Sequence, residues 1–121
     1  MKLTVYQYAK CGTCRNAVKW LKGQGYELEL IPIMEEPPSA EELSRLIAAS
    51  GLDMKKWFNT SGEVYKAMNL KDKLPHMTTE EKIELLASNG KLLKRPIVTD
   101  GQRVTVGYKE EQYQENWTVS D

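Results

Sequence analysis

The residues best able to do covalent chemistry are Cys11 and Cys14, the only two cysteines among 121 residues, separated by Gly12-Thr13. Three chemistries are open to such a pair: a redox couple, half of a metal site, or two inert small core residues. A structural zinc site needs four ligands, and the chain supplies two cysteines and one histidine, His76, so no metal site is expected. His76 follows Pro75 and reads as a surface or loop residue. The choice between the other two readings rests on the elements that hold the cysteines.

Ahead of the pair, residues 2–7 place Leu3 and Val5 on one face and Thr4 and Tyr6 on the other, the period of a strand. Residues 10–13 read as a turn. Cys14, Ala17, Val18 and Leu21 then recur at helical spacing, which predicts a helix over about 13–22, ended by Gly23 and Gly25. Residues 26–33 predict a second strand around Leu28, Leu30 and Ile33. Strand, helix and strand in this order imply parallel strands and a right-handed crossover.

A Cys-x-x-Cys between a strand and a helix is more specific than the bare spacing, and it favours redox chemistry. Cys11 falls at the helix N-terminus, where unpaired backbone N–H groups and the helix dipole favour an anion. Thiols so placed have pKa values lowered from ~8.5 toward ~3.5–7.5. Lys10 and Arg15 add positive charge nearby. Cys11 is therefore the expected nucleophile. Cys14, one helical turn on, can reach its sulfur and resolve a mixed disulfide. Read alone, Cys14 also fits as a buried residue beside Ala17. Gly12 leaves room for an approaching substrate.

The middle of the chain reads as helical. Residues 35–38, Glu-Glu-Pro-Pro, break it, and Ser39-x-x-Glu42 is a capping box for a helix to about Ala49, with Leu43, Leu46 and Ile47 on its apolar face and Gly51 as its stop. Residues 52–58 predict a short helix anchored by Trp57 and Phe58. Residues 59–62 form a polar loop, and Val64, Ala67 and Met68 suggest a helical turn or two. Thr78-x-x-Glu81 is a second capping box, with Ile83, Leu86 and Ala87 behind it and Asn89-Gly90 as the stop. Farther on, residues 96–99 and 103–106 flank Asp100-Gly101, a hairpin signal. Residues 109–117 predict a last helix facing Tyr113 and Trp117 inward. The sheet should be mixed, in one domain spanning 1–121 with a helical insertion at about 39–90.

Bulk properties narrow the function classes. Lys+Arg and Asp+Glu both number 17, so net charge does not suggest direct nucleic-acid binding. No apolar run reaches the ~18 residues of a membrane span. The N-terminus reads as a strand rather than a signal peptide. The expected location is the cytoplasm, where a lone Cys-x-x-Cys is catalytic or metal-binding more often than structural. Trp20, Trp57 and Trp117 read as packing residues, and Arg95-Pro96 as either an ordinary trans proline opening a strand or a cis turn presenting Arg95 toward the cysteine loop.

Cys11-Gly12-Thr13-Cys14-Arg15, Asn59-Thr60-Ser61-Gly62, residues 93–98 (Leu-Lys-Arg-Pro-Ile-Val) and Val106-Gly107-Tyr108 together resemble the arsenate reductase (ArsC)-like family. Its other well-known branch is the Spx transcriptional regulator, and the chain is similar in particular to the small bacterial members, to about Trp117. The resemblance implies an α/β, thioredoxin-like fold with a helical insertion and a cis peptide before Pro96. It implies a thiol–disulfide oxidoreductase in which Cys11 attacks a disulfide or an oxyanion, with Cys14 as its partner, and that Arg95, Gly12, Thr13, Arg15 and Asn59 bind substrate. It implies no bound cofactor, with thioredoxin or glutathione/glutaredoxin as electron donor, and RNA polymerase α subunit as an alternative partner. Two arginines of the arsenate reductases are replaced, by alignment, with Asn59 and Val106. An arsenate dianion would lose two charge-assisted donors, each worth ~1.5–3 kcal/mol. Those enzymes also use a single active cysteine, whereas Cys14 matches the Spx branch.

Overall fold

A computed structural model of the chain describes residues 2–118, so the outermost residues of the expected 1–121 domain lie outside the described residues. The chain divides into two compact units: one holds the described residues through Pro32 and from Arg95 onward, the other Ile33–Lys94.

The first unit is a thioredoxin-like fold built on a four-stranded mixed sheet. Its strands are β1 (Lys2–Gln7), β2 (Glu27–Pro32), β3 (Ile97–Thr99) and β4 (Val104–Val106), in the order β2-β1-β3-β4. β1 runs parallel to β2 from Lys2 opposite Glu27 to Gln7 opposite Pro32, and antiparallel to β3 through Val5 opposite Val98. β3 and β4 form the expected hairpin, and its loop is four residues, because Thr99 pairs with Val104. Asp100 builds that loop: its carboxylate accepts the N–H groups of Gln102 and Arg103 at 2.8 and 2.7 Å, while Gly101 takes a φ of 99°.

Two helices, α1 (Gly12–Gly23) and α6 (Glu110–Trp117), supply the rest of this core. Leu3, Val5 and Val98 from the sheet meet Ala17 and Leu21 of α1 and Tyr113 and Trp117 of α6. Each fully buried aliphatic side chain here is worth roughly 1.5–3 kcal/mol of transfer free energy. Burying Tyr113 and Trp117 also sequesters two polar groups, and both are satisfied. The Tyr113 hydroxyl donates to the Gly107 carbonyl at 3.1 Å, and the Trp117 indole N–H donates to the Thr105 hydroxyl at 3.0 Å.

The second unit is helical: α2 (Ala40–Ser50), α3 (Glu63–Ala67), α4 (Leu70–Lys73) and α5 (Thr79–Ser88), with short 3₁₀ turns at Met54–Trp57, Leu74–His76 and Gly90–Leu92. α2 packs on α5 through buried Leu43, Leu46, Ile83 and Leu86. Thr78 and Glu81 form the full expected capping box, with bonds of 2.9 and 3.1 Å in the two directions. Ser39 forms only one arm, accepting the Glu42 N–H at 3.2 Å; among the described residues no bond returns from the Glu42 carboxylate. The short helix expected at 52–58 is a 3₁₀ turn; α4 and the turn at Leu74–His76 agree with the helical reading of this region, but their bounds are not readable from Leu70-Lys71-Asp72-Lys73-Leu74-Pro75-His76, which carries no sustained apolar period. Phe58 bridges Leu93, and the Asn59 and Lys94 N–H groups donate to Leu92 and Trp57 carbonyls at 2.8 and 2.9 Å. No helix among the described residues is long and apolar enough to cross a membrane.

Candidate functional site

The end of β1 and the start of α1 position the cysteines. The Cys11 N–H donates to the Tyr8 carbonyl at 2.9 Å, closing a turn, and the Arg15 N–H donates to the Cys11 carbonyl at 3.1 Å, opening the helix. Cys11 is thus the residue that caps α1, and the first turn of the helix contains no acidic side chain to offset the dipole. Both cysteines are free thiols; Cys11 is half-buried, and Cys14 is completely buried.

Their environments push the two thiols apart. Partial burial works to raise the Cys11 thiol, but it is outweighed. The Cys14 backbone and thiol, the positive charge of Arg95 and the Thr13 backbone all favour the thiolate, so Cys11 lies below its ordinary value of 9.0. Burial pushes Cys14 up to about 12, against a lowering by the Tyr8 backbone, and the neighbouring Cys11 adds to the rise. One thiol is shifted toward the thiolate and the other is held protonated one turn away.

Arg95 precedes β3 and reaches this corner. Its guanidinium carbon lies 5.4 Å from the centre of the Tyr8 ring, a cation–π contact. The Arg95-Pro96 peptide is cis, as the resemblance implies; Pro96 is buried, and its carbonyl accepts the Gly107 N–H at 2.9 Å. Tyr8 was missed at the level of sequence. It holds Cys11 through its carbonyl and Arg95 through its ring, yet an aromatic residue after a strand reads as packing. The one available signal was its place three residues before Cys11.

The other candidates are less concentrated. Gly12, Thr13 and Arg15 are exposed on the first turn of α1. A Cβ on Gly12 would meet only the Arg15 guanidinium, at an ordinary 3.9 Å, so packing does not demand glycine there. Asn59 belongs to the second unit and is placed by its own loop: its carbonyl accepts the Gly62 N–H at 3.0 Å, and its amide lies 2.8 Å from where a Gly62 Cβ would stand. Val106 is a half-buried residue of β4. His76 is exposed at the end of a 3₁₀ turn. Among the described residues, no group of three or more His, Cys, Asp or Glu side chains could hold a metal ion.

A family model described as ArsC family matches residues 6–116. The uncharacterised protein YusI of Bacillus subtilis is 60% identical over 117 residues, which cover 97% of this chain and 99% of that one. An arsenate reductase of Rhizobium meliloti is 31% identical over 98 residues, 81% of this chain and 69% of that one. The global transcriptional regulator Spx of Enterococcus faecalis is 31% identical over 111 residues, 91% of this chain and 82% of that one. Among solved structures, a candidate ArsC family related protein from Bacteroides fragilis superposes with a TM-score of 0.90 at 49% identity, covering 95% of this chain and 97% of that one.

Proposed function

The chain belongs to the ArsC family, and from that premise we propose that it is a thiol–disulfide oxidoreductase working through Cys11 and Cys14. The observation that carries this reading is the pair of thiols one helical turn apart, one lowered beside Arg95 and the other raised by burial. The Cys11 thiolate attacks one sulfur of a substrate disulfide. A Cys11–substrate bond forms, the substrate S–S bond breaks, and one substrate thiolate leaves and takes a proton from solvent. The Cys14 thiol loses its proton and attacks Cys11, releasing the second substrate thiol and leaving a Cys11–Cys14 disulfide. The substrate has gained two electrons and two protons. Thioredoxin, or glutathione with glutaredoxin, returns the pair to the dithiol.

Cys14 starts as a poor nucleophile because it is buried and beside Cys11. Once Cys11 is in a mixed disulfide its negative charge is gone, while Arg95 still lowers Cys14. Resolution is thereby coupled to the first attack. Arg95, with Thr13, Gly12 and Arg15, lies where an anionic part of a substrate would be met; Asn59 is a further candidate contact.

The test is intact-mass measurement after mild oxidation and again after reduction, with free thiols alkylated. The expected result is a reversible loss of two hydrogens that needs both Cys11 and Cys14. If Cys11→Ser and Cys14→Ser proteins behave as the wild type does, the proposal fails. A second reading is a redox-sensing regulator that binds the RNA polymerase α subunit, favoured by Cys14 and by a match to Spx that spans more of both chains than the match to arsenate reductase. Capture by the isolated α C-terminal domain in one redox state supports it, and no capture in either state removes it. Arsenate reduction is the weakest reading, because Asn59 and Val106 stand where two arginines would. Arsenate-dependent oxidation no greater than that of Cys11→Ser counts against it.

A further inference from the structure

Within the helical unit, five short elements converge on a cavity of about 240 Å³ that none of the chemistry above uses. Phe58, Tyr65 and Leu74 make its apolar wall, at 2%, 7% and 9% exposure. The Phe58 and Tyr65 rings stand 6.3 Å apart at a tilt of 58°. Tyr65 is more than nine-tenths buried, yet its hydroxyl makes no hydrogen bond among the described residues and is not sealed from solvent. The hydroxyl is therefore open to water and free to donate to a ligand in water's place.

Charge singles out the ligand class. Lys55, Lys71 and Lys82 line the cavity from three different elements. Among the described residues none of the three makes an ion pair. The one acidic lining residue, Asp53, already accepts the backbone N–H of Lys55 at 3.0 Å as the cap of its 3₁₀ turn. Three lysines without an ion-pair partner against one lining carboxylate give this cavity an excess of positive charge, in a protein whose net charge is zero. The volume sets the size. Sites for drug-sized ligands run to ~300–1,000 Å³, so this cavity suits one ring or a short acyl chain with a single anionic head, not a nucleotide.

We propose that this cavity binds a small amphiphilic anion, an aryl or short-chain alkyl carboxylate. Its apolar body lies on Phe58, Tyr65 and Leu74. Its carboxylate sits among Lys55, Lys71 and Lys82 and accepts from the Tyr65 hydroxyl. The site needs neither cysteine, so its fate is independent of the redox reading.

The experiment is a two-dimensional amide NMR titration of the full chain with three probes: 3-phenylpropionate, the neutral 3-phenylpropan-1-ol, and acetate. The expected result is saturable shifts from phenylpropionate confined to amides near residues 53–58, 65, 71–75 and 82. The alcohol should bind about tenfold more weakly, and acetate should not saturate. Lys71→Met, at an exposed position, should weaken phenylpropionate by about two- to fivefold, as should Lys55→Met. Tyr65→Phe, which keeps the ring packed, should weaken it further. Shifts scattered over the chain, binding of acid and alcohol with equal strength, or full affinity in the Lys71→Met and Lys55→Met proteins would each overturn the proposal.

Discussion

At the scale of single residues, the chemistry of Cys11 rests on what surrounds its sulfur. Alkylation of Cys11 should rise with pH and level off below 9.0, the ordinary thiol value, because the thiolate is favoured. Arg95→Ala should move that inflection upward; an unmoved inflection would mean that Arg95 does not act on the thiolate. Tyr8 supplies a sharper test. Tyr8→Phe keeps the ring under the guanidinium and should leave the inflection in place. Tyr8→Leu removes a contact worth ~0.5–2 kcal/mol and should move it upward, but not in an Arg95→Ala background. Equal shifts in both backgrounds would show that the Tyr8 side chain acts independently of Arg95. Cys11 was legible at this scale because a turn before a helix acts on any thiol placed there. Its approach to Arg95 was not settled there, since the two lie 84 positions apart and a cis turn at Pro96 stood beside an ordinary trans one until the resemblance favoured it.

At the scale of elements, the two capping motifs look alike in sequence and differ in structure. Thr78 and Glu81 exchange two bonds, so Thr78→Ala should cost about 1 kcal/mol and Glu81→Ala a measurable fraction of that. Ser39 has one arm, so Ser39→Ala should cost a comparable amount but Glu42→Ala almost nothing. Urea denaturation of the four variants decides it; equal losses at Glu42 and Glu81 would contradict the asymmetry. Gly90 is a stop signal for a different reason than helix ending alone. A Cβ there would collide with the Ile33 carbonyl and stand 3.2 Å from the Met34 Cα. Gly90→Ala should therefore cost at least ~1–3 kcal/mol in the same assay, because both neighbours are backbone and cannot swing aside. The strands and long helices were readable from period and caps. The 3₁₀ turns and α4 were not, because four residues are too few to show a period, and the turn at Leu74–His76 is set by Pro75 and the burial of Leu70 and Leu74.

At the scale of the whole molecule, stability should depend on alkaline pH. Cys14 titrates at about 12 in the folded chain and near 9.0 when unfolded, and Tyr113 is likewise raised by burial. Above pH 9.0 the unfolded chain therefore holds fewer protons at Cys14 than the folded one. Stability falls with rising pH until about 12, by up to about 1.4 kcal/mol per unit for each such group. Cys11 is lowered and acts in the opposite sense, gaining stability as pH rises toward 9.0. Melting temperature should decline between pH 9 and 12 and decline less steeply in Cys14→Ser. A slope unchanged by that substitution would show that Cys14 does not carry the effect.

The sheet order has one more consequence. β2 lies at an edge, so one row of its backbone groups faces no partner strand among the described residues. That row is an invitation to intermolecular β-pairing. β2 answers it with exposed Glu27 and Glu29, the latter ion-paired to Lys2 at 3.2 Å, and with Pro32 at its end. In an antiparallel match between two copies these carboxylates would face one another. Leu30, 42% exposed and flanked by Glu29 and the terminal Pro32 two residues on, can therefore remain on the surface without nucleating a fibril.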